Sequence, residues 1–251
     1  MTVVGTAAIA LGMTVGTGVA SGAATTPKST AGLHAHLSRA AAGGRLSAVL
    51  TTAEGAGYYS YPTSAHGLAG ASTSFKMPAI TCASASDQEW LLPGIWVYSG
   101  GSLSEQVDVN FNCNSGSLLE SAVICIAGSC DQTLAVAPHD TIRASIAYTP
   151  SETIGTIKDV TSGLSKQVVG PAVTTDDVVF IGDEGPSMFF GGIVTKVPTF
   201  TSVKFSNNQV NAQDLSDWAP GRYNLKTTTK VQIRTSALNA NQSFVTTFAK
   251  N

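Results

Sequence analysis

The chain has 251 residues and a mass of 25.7 kDa, and only 12% of its side chains are charged, against roughly a quarter in an ordinary soluble domain. Fourteen Lys and Arg against sixteen Asp and Glu leave a formal charge of −2. The basic residues are scattered along the sequence with no stripe to neutralise phosphates, which excludes nucleic acid as a partner. The length suits one large all-β domain with its own core, and low charge with abundant Gly, Ser and Thr suits a secreted one.

Residues Thr2 to Ala24 carry no charge and close on Ser21-Gly22-Ala23-Ala24. Segment 1–24 reads as the apolar stretch and cleavage zone of a secretory signal, lacking the basic opening. The other reading, a membrane anchor, fits poorly with so many Gly and Thr residues. Removal of the segment leaves an extracellular protein with no membrane span. Residues 25–47 read as a linker or propeptide remnant, with a short helix over 33–42 ended by Gly43-Gly44. His34 and His36 lack a third ligand, so no metal site is expected.

Residues 48–251 read as a single β-sandwich domain. Short alternating strands are predicted over 72–77, 94–98, 105–113, 121–126, 141–148, 154–160, 166–169, 178–181, 202–206, 230–235 and 243–248. Pro138-His139-Asp140, Thr161-Ser162-Gly163 and Gly185-Pro186-Ser187 supply turn chemistry between them. So many short strands in about 200 residues imply an all-β, two-sheet antiparallel sandwich.

The most informative stretch is GGSLSEQVDVNFNC, from Gly100 to Cys113. Val107, Val109, Phe111 and Cys113 share one face, and Gln106, Asp108, Asn110 and Asn112 share the other. A strand that is apolar on one side and amide-rich on the other suits a sheet whose second face lines a cleft. The four cysteines, Cys82, Cys113, Cys125 and Cys130, permit three pairings. Cys125 and Cys130 suit a hairpin staple, which leaves Cys82 to join Cys113.

From about Glu54 to Phe248 the motifs, in order, resemble those of the eqolisins, the secreted glutamic peptidases of acid-loving fungi and bacteria. Phe75-Lys76-Met77-Pro78-Ala79-Ile80-Thr81-Cys82 resembles the family's W-x-V-P-x-V-x-C, and Pro93-Gly94-Ile95-Trp96 its W-V-G-I-D-G strand. Glu105-Gln106 with the downstream Cys113 resembles E-Q-x-G, Val136 to Ile142 resembles V-x-P-G-D-x-I, and Asp159 to Gly163 resembles D-x-T-x-G. Val178 to Pro186 lies where the family has A-E-W-I-V-E, and Val197 to Phe205 resembles L-x-x-F-G-x-V-x-F-T.

The resemblance implies a concanavalin-like, jelly-roll type sandwich, a monomer acting on polypeptide without a cofactor. It also implies a Gln amide and a carboxylate on the concave sheet. The carboxylate takes a proton from water and later returns it to the leaving amine, while the amide stabilises the oxyanion. Gln106 matches the Gln. The family's catalytic Glu falls on Val179 in one register and on Phe180 in another, so the carboxylate is expected from Glu184 or Asp183, only one of which can face the cleft. Trp96 stands where the family has an Asp after its W-V-G-I, and the early N-W-S-G-Y motif becomes Glu54-Gly55-Ala56-Gly57-Tyr58.

An alternative reading is a non-catalytic sandwich that binds a peptide or glycan in the same groove through Tyr58, Trp96 and Tyr98. His66 and His139 have no Ser or Cys nucleophile signature beside them, so a triad is not expected. Asp183-Glu184-Gly185-Pro186 also has the composition of a turn.

Overall fold

The computed structural model describes residues 49–53, 55–61, 67–83, 89–99, 102–172, 178–185, 196–226 and 230–250. The signal-like segment 1–24, the linker 25–47 with His34 and His36, Glu54, His66 and the Pro186-Ser187 part of the predicted turn lie outside them. No helix among the described residues is long and apolar enough to cross a membrane.

Two antiparallel layers pack face to face. One runs, strand by strand, Ser165–Pro171, Glu152–Asp159, Thr141–Tyr148, Gly70–Lys76, Ser202–Val210 and Phe244–Phe248. The other runs Gly221–Leu225, Gly55–Ser60, Val178–Glu184, Glu89–Ser99, Ser102–Asn114, Ser117–Ile126 and Ser129–Leu134. Ile233–Thr235 joins them at one edge, so the hydrogen-bond ladder is continuous and the sheet folds over on itself.

The two-residue period explains the core. In Thr141–Tyr148, Ile142, Ala144 and Ile146 are buried while Arg143 and Ala147 are exposed. They meet Val107, Val109, Phe111, Ile124 and Ile126 from the opposite layer. Burial of each large aliphatic side chain contributes roughly 1.5–3 kcal/mol. The Glu89–Ser99, Ser102–Asn114 and Val178–Glu184 strands are buried on both faces, and their second face carries a separate cluster: Tyr59, Leu92, Trp96, Tyr98, Val178, Phe180 and Tyr223.

Each predicted strand is present at least in part: several are longer, and 230–235 is shortened to Ile233–Thr235. The additional strands Leu50–Thr52, Gly55–Ser60, Ser129–Leu134 and Gly221–Leu225 carry Gly or polar residues where a β-rich pattern is expected; their neighbours, more than their own propensity, hold them extended. Asp183 and Glu184 belong to the Val178–Glu184 strand, which corrects the turn reading: Asp183 pairs with Ala56 and Pro93, and Glu184 with Gly55 and Leu92.

Cys82 is bonded to Cys113 and Cys125 to Cys130. The first bridge ties the segment after Ile80–Thr81 to the end of the Gln106 strand. The second closes the hairpin at a directly opposed cross-strand pair. Glu89 lies close to Cys82 and Cys113, but both sulfurs are spent in the disulfide, and Glu89 Oε2 accepts from the Ala83 N–H at 2.9 Å.

Candidate functional site

The groove-side face of the second layer reads as rows of residues across strands. Tyr59 pairs with Phe180, Phe180 with Trp96, Trp96 with Gln106 and Gln106 with Cys125. The next row is Gly57, Gly182, Gly94, Asp108 and Val123. Gln106 therefore ends an aromatic row and Asp108 ends a glycine row.

The aromatic row is closely packed, its rings tilted against one another. Ring centroids are 4.4 Å apart for Tyr59 and Phe180, 5.4 Å for Phe180 and Trp96, and 4.9 Å for Tyr59 and Tyr223. Glycines beside it make room: a Cβ on Gly182 would stand 2.9 Å from the Phe180 ring, and one on Gly55 2.7 Å from it. Phe180 thus leans over Gly55 and Gly182. Gly94 has a different task, since its Cβ would lie 2.4 Å from the Val107 carbonyl oxygen and 2.6 Å from Asp108 Cβ. Only glycine lets the Asp108 backbone come so close.

At the junction of the two rows, Gln106 Nε2 donates to Asp108 Oδ2 at 2.8 Å. Gln106 is 4% exposed and Asp108 0%. Gln106 Oε1, Asp108 Oδ1 and Trp96 Nε1 are buried with no hydrogen-bond partner among the described residues. Burial drives the Asp108 pKa well above the usual carboxylate range, and the Gln106 amide offsets only part of the rise. A register shift between Val97 and Tyr98 sits just ahead of Gln106, a bulge of the kind that re-aims side chains beside functional sites.

The carboxylates expected to partner Gln106 are elsewhere. Asp183 follows Val179 and Ile181 into the core between the layers. There burial lifts its pKa to about 7, against a lowering influence from the Thr246 hydroxyl, which donates to the Val203 carbonyl at 3.4 Å. Glu184 is on the groove face, where Oε1 accepts from the Tyr98 hydroxyl at 2.9 Å. Glu184 pairs with Leu92, six residues from Tyr98 on the same strand. A straight strand would cover about 20 Å over that distance, so the bond closes because the face is concave. Gln106, by contrast, is level with Phe180, four residues from Glu184.

Tyr58 is likewise displaced from its expected place. It faces the inter-layer core, 4.9 Å from the Phe244 ring, with its hydroxyl donating to the Ser236 carbonyl at 2.9 Å. Its neighbour Tyr59 occupies the groove face instead. Trp96 and Tyr98 are on that face, both buried in the aromatic cluster. Of the two positions aligned with the family's catalytic Glu, Val179 points into the core and Phe180 into the groove; neither is an acid.

Sequence reasoning passed over Asp108 as a partner although its signal was present, two residues from Gln106 on the same polar face. A fifth buried acid, Glu105, bridges the layers: its Oε2 accepts from the Tyr148 hydroxyl at 2.9 Å and from Ser104. Burial raises its pKa against both of these donors.

Solved glutamic peptidases have this fold. Scytalido-glutamic peptidase bound to a transition-state analog inhibitor is 10% identical, with a TM-score of 0.61 over 78% of this chain and 98% of that one. SCP-B, a member of the eqolisin family solved with the tripeptide Ala-Ile-His, is also 10% identical, with a TM-score of 0.55 over the same shares. No protein-family profile and no curated protein sequence matches the chain. The likeness is one of fold, a β-sandwich of the eqolisin kind.

Proposed function

We propose that the protein is a secreted endopeptidase acting through Gln106 and Asp108, with the carboxylate on the same strand as the amide. The 2.8 Å contact between the Gln106 amide and Asp108 on the concave face carries this reading, and the eqolisin-type fold supports it. In the fraction of molecules where Asp108 is ionised, which its raised pKa makes larger as the pH rises, the carboxylate takes a proton from a water as the water oxygen bonds to the scissile carbonyl carbon. The Gln106 N–H stabilises the oxyanion, in surroundings dry enough for that bond to count. When the carbon–nitrogen bond breaks, the Asp108 proton passes to the leaving amine and the carboxylate is restored. Two disulfides fit an oxidising, extracytoplasmic setting, in keeping with segment 1–24 as a secretory signal and 25–47 as a linker.

The test is digestion of an unfolded protein by the full chain from pH 2 to 7. Cleavage is expected, and Asp108→Asn and Gln106→Ala are each expected to lower kcat at least about 100-fold with the melting temperature retained. Absence of cleavage at every pH ends the proposal. One observation favours the non-catalytic reading: Phe180, an apolar ring, is level with Gln106 and leans over the glycine row. That reading predicts a peptide or glycan held without cleavage, lost in Trp96→Ala and kept in Asp108→Asn.

A further inference from the structure

The basic residues, scattered in sequence, gather in space. On the outer face of the layer away from the groove, Lys158 pairs with Arg143 across adjacent strands. Phe205 pairs with Phe75, which sets Lys204 across from Lys76 on the same face. Arg143 is level with Ser74, two residues from Lys76. Arg234 pairs with Thr247, two residues from the Val245 that faces Lys204, and so extends the group. All five cations are exposed.

Like charges directly opposed across a sheet destabilise it, because their Cβ atoms are only about 4.5–5.5 Å apart. Here two such pairs stand side by side. None of the five joins the ion pair seen among the described residues, Lys166 with Asp131 at 3.5 Å. The acids that bound these strands are held by their own turns: Asp140 accepts from the Ala137 N–H and Asp159 from the Thr161 N–H, both at 2.8 Å. Beside the Lys76–Lys204 pair is a hollow of about 260 Å³, lined also by Met77, His139, Thr201 and Ser202. Neighbouring outward positions are hydroxyls, among them Ser74, Thr141 and Ser206.

We infer that this outer face binds an anionic polysaccharide, with one acidic sugar unit in the hollow between Lys76 and Lys204 and the chain running across Arg143 and Lys158. The ligand's carboxylate or sulfate groups neutralise the opposed cations, and its hydroxyls meet the Ser and Thr side chains. A nucleic acid is disfavoured because none of these outward positions carries an aromatic ring on which bases could stack. A lipid bilayer is disfavoured because the exposed apolar residues nearby are Val160 and Leu164 in the adjoining turn, without the Trp or Phe that seat a protein in a membrane interface. The site is on the opposite side of the molecule from Gln106 and does not depend on peptidase activity.

The experiment measures binding of the full chain to dextran sulfate and polygalacturonate, with neutral dextran, phosphatidylserine vesicles and a 20-base-pair DNA as comparators. Both acidic polysaccharides are expected to bind, more tightly at low salt than high, and neutral dextran not to. The double variant Lys76→Glu/Lys204→Glu is expected to lose at least tenfold in affinity; Lys76→Glu alone relieves the repulsion, so it is expected to bind less tightly while melting at a higher temperature. Equal binding of neutral dextran, tighter binding of vesicles or DNA, or unchanged affinity in the double variant would overturn the inference.

Discussion

On the groove-side layer, acids are sealed inside: Asp108 and Asp183 are fully buried, held by neutral donors or by none. On the outer face of the other layer, cations stand in the open beside one another, and none of them joins the ion pair seen among the described residues. A formal charge of −2 conceals this separation. Burial raises a carboxyl pKa, which neutralises the inside first as the pH falls, whereas an exposed Lys or Arg keeps its charge throughout. The contrast suits a protein built to stay folded in acid.

The largest expected effect is on the buried side. The folded-state pKa of Asp183, about 7, is above its unfolded value near 3.8. The native state therefore binds more protons in between, and stability falls as pH rises from about 4 to about 7, by on the order of 4 kcal/mol. Asp183→Asn is expected to flatten that slope in urea titrations at pH 4 and pH 7; an unchanged slope would show that Asp183 is not the group responsible. Next, Gly94→Ala forces a Cβ against the Val107 carbonyl oxygen and is expected to cost about 3 kcal/mol, read as a lower urea midpoint. A variant as stable as the parent would mean that the Asp108 and Gly94 strands can separate freely. The smallest effect is on the exposed side. Lys204→Thr removes one member of an opposed pair and is expected to stabilise by about 0.5 kcal/mol at low salt, a gain that differential scanning calorimetry should lose at high salt.

The fold was legible wherever alternation was strict, as in Thr141–Tyr148 and the strand carrying Gln106. It was not legible in Gly55–Ser60, where GAGYYS has too little β-branched character to declare itself and the choice between Tyr58 and Tyr59 for the groove depends on register with Val178–Glu184. Gln106 was legible as a groove residue. Its contact with Asp108 depends on the reach of an amide along its own strand, which alternation permits but does not reveal. The cation cluster was invisible because its members lie on separate strands from residue 76 to residue 234, brought together only by sheet order.

Burying Asp108 and Asp183 also changes how the whole molecule moves in a field. Near its sequence isoelectric point of about 6.0 the unfolded chain carries no net charge, but in the folded chain Asp183, its pKa lifted to about 7, still holds most of its proton, and the upward shift of Asp108 acts in the same direction. Folding thus turns a neutral polymer into a weak cation whose positive end is the outer face. Unfolding takes that positive charge away, and with it the attraction to acidic surfaces, before any residue is modified.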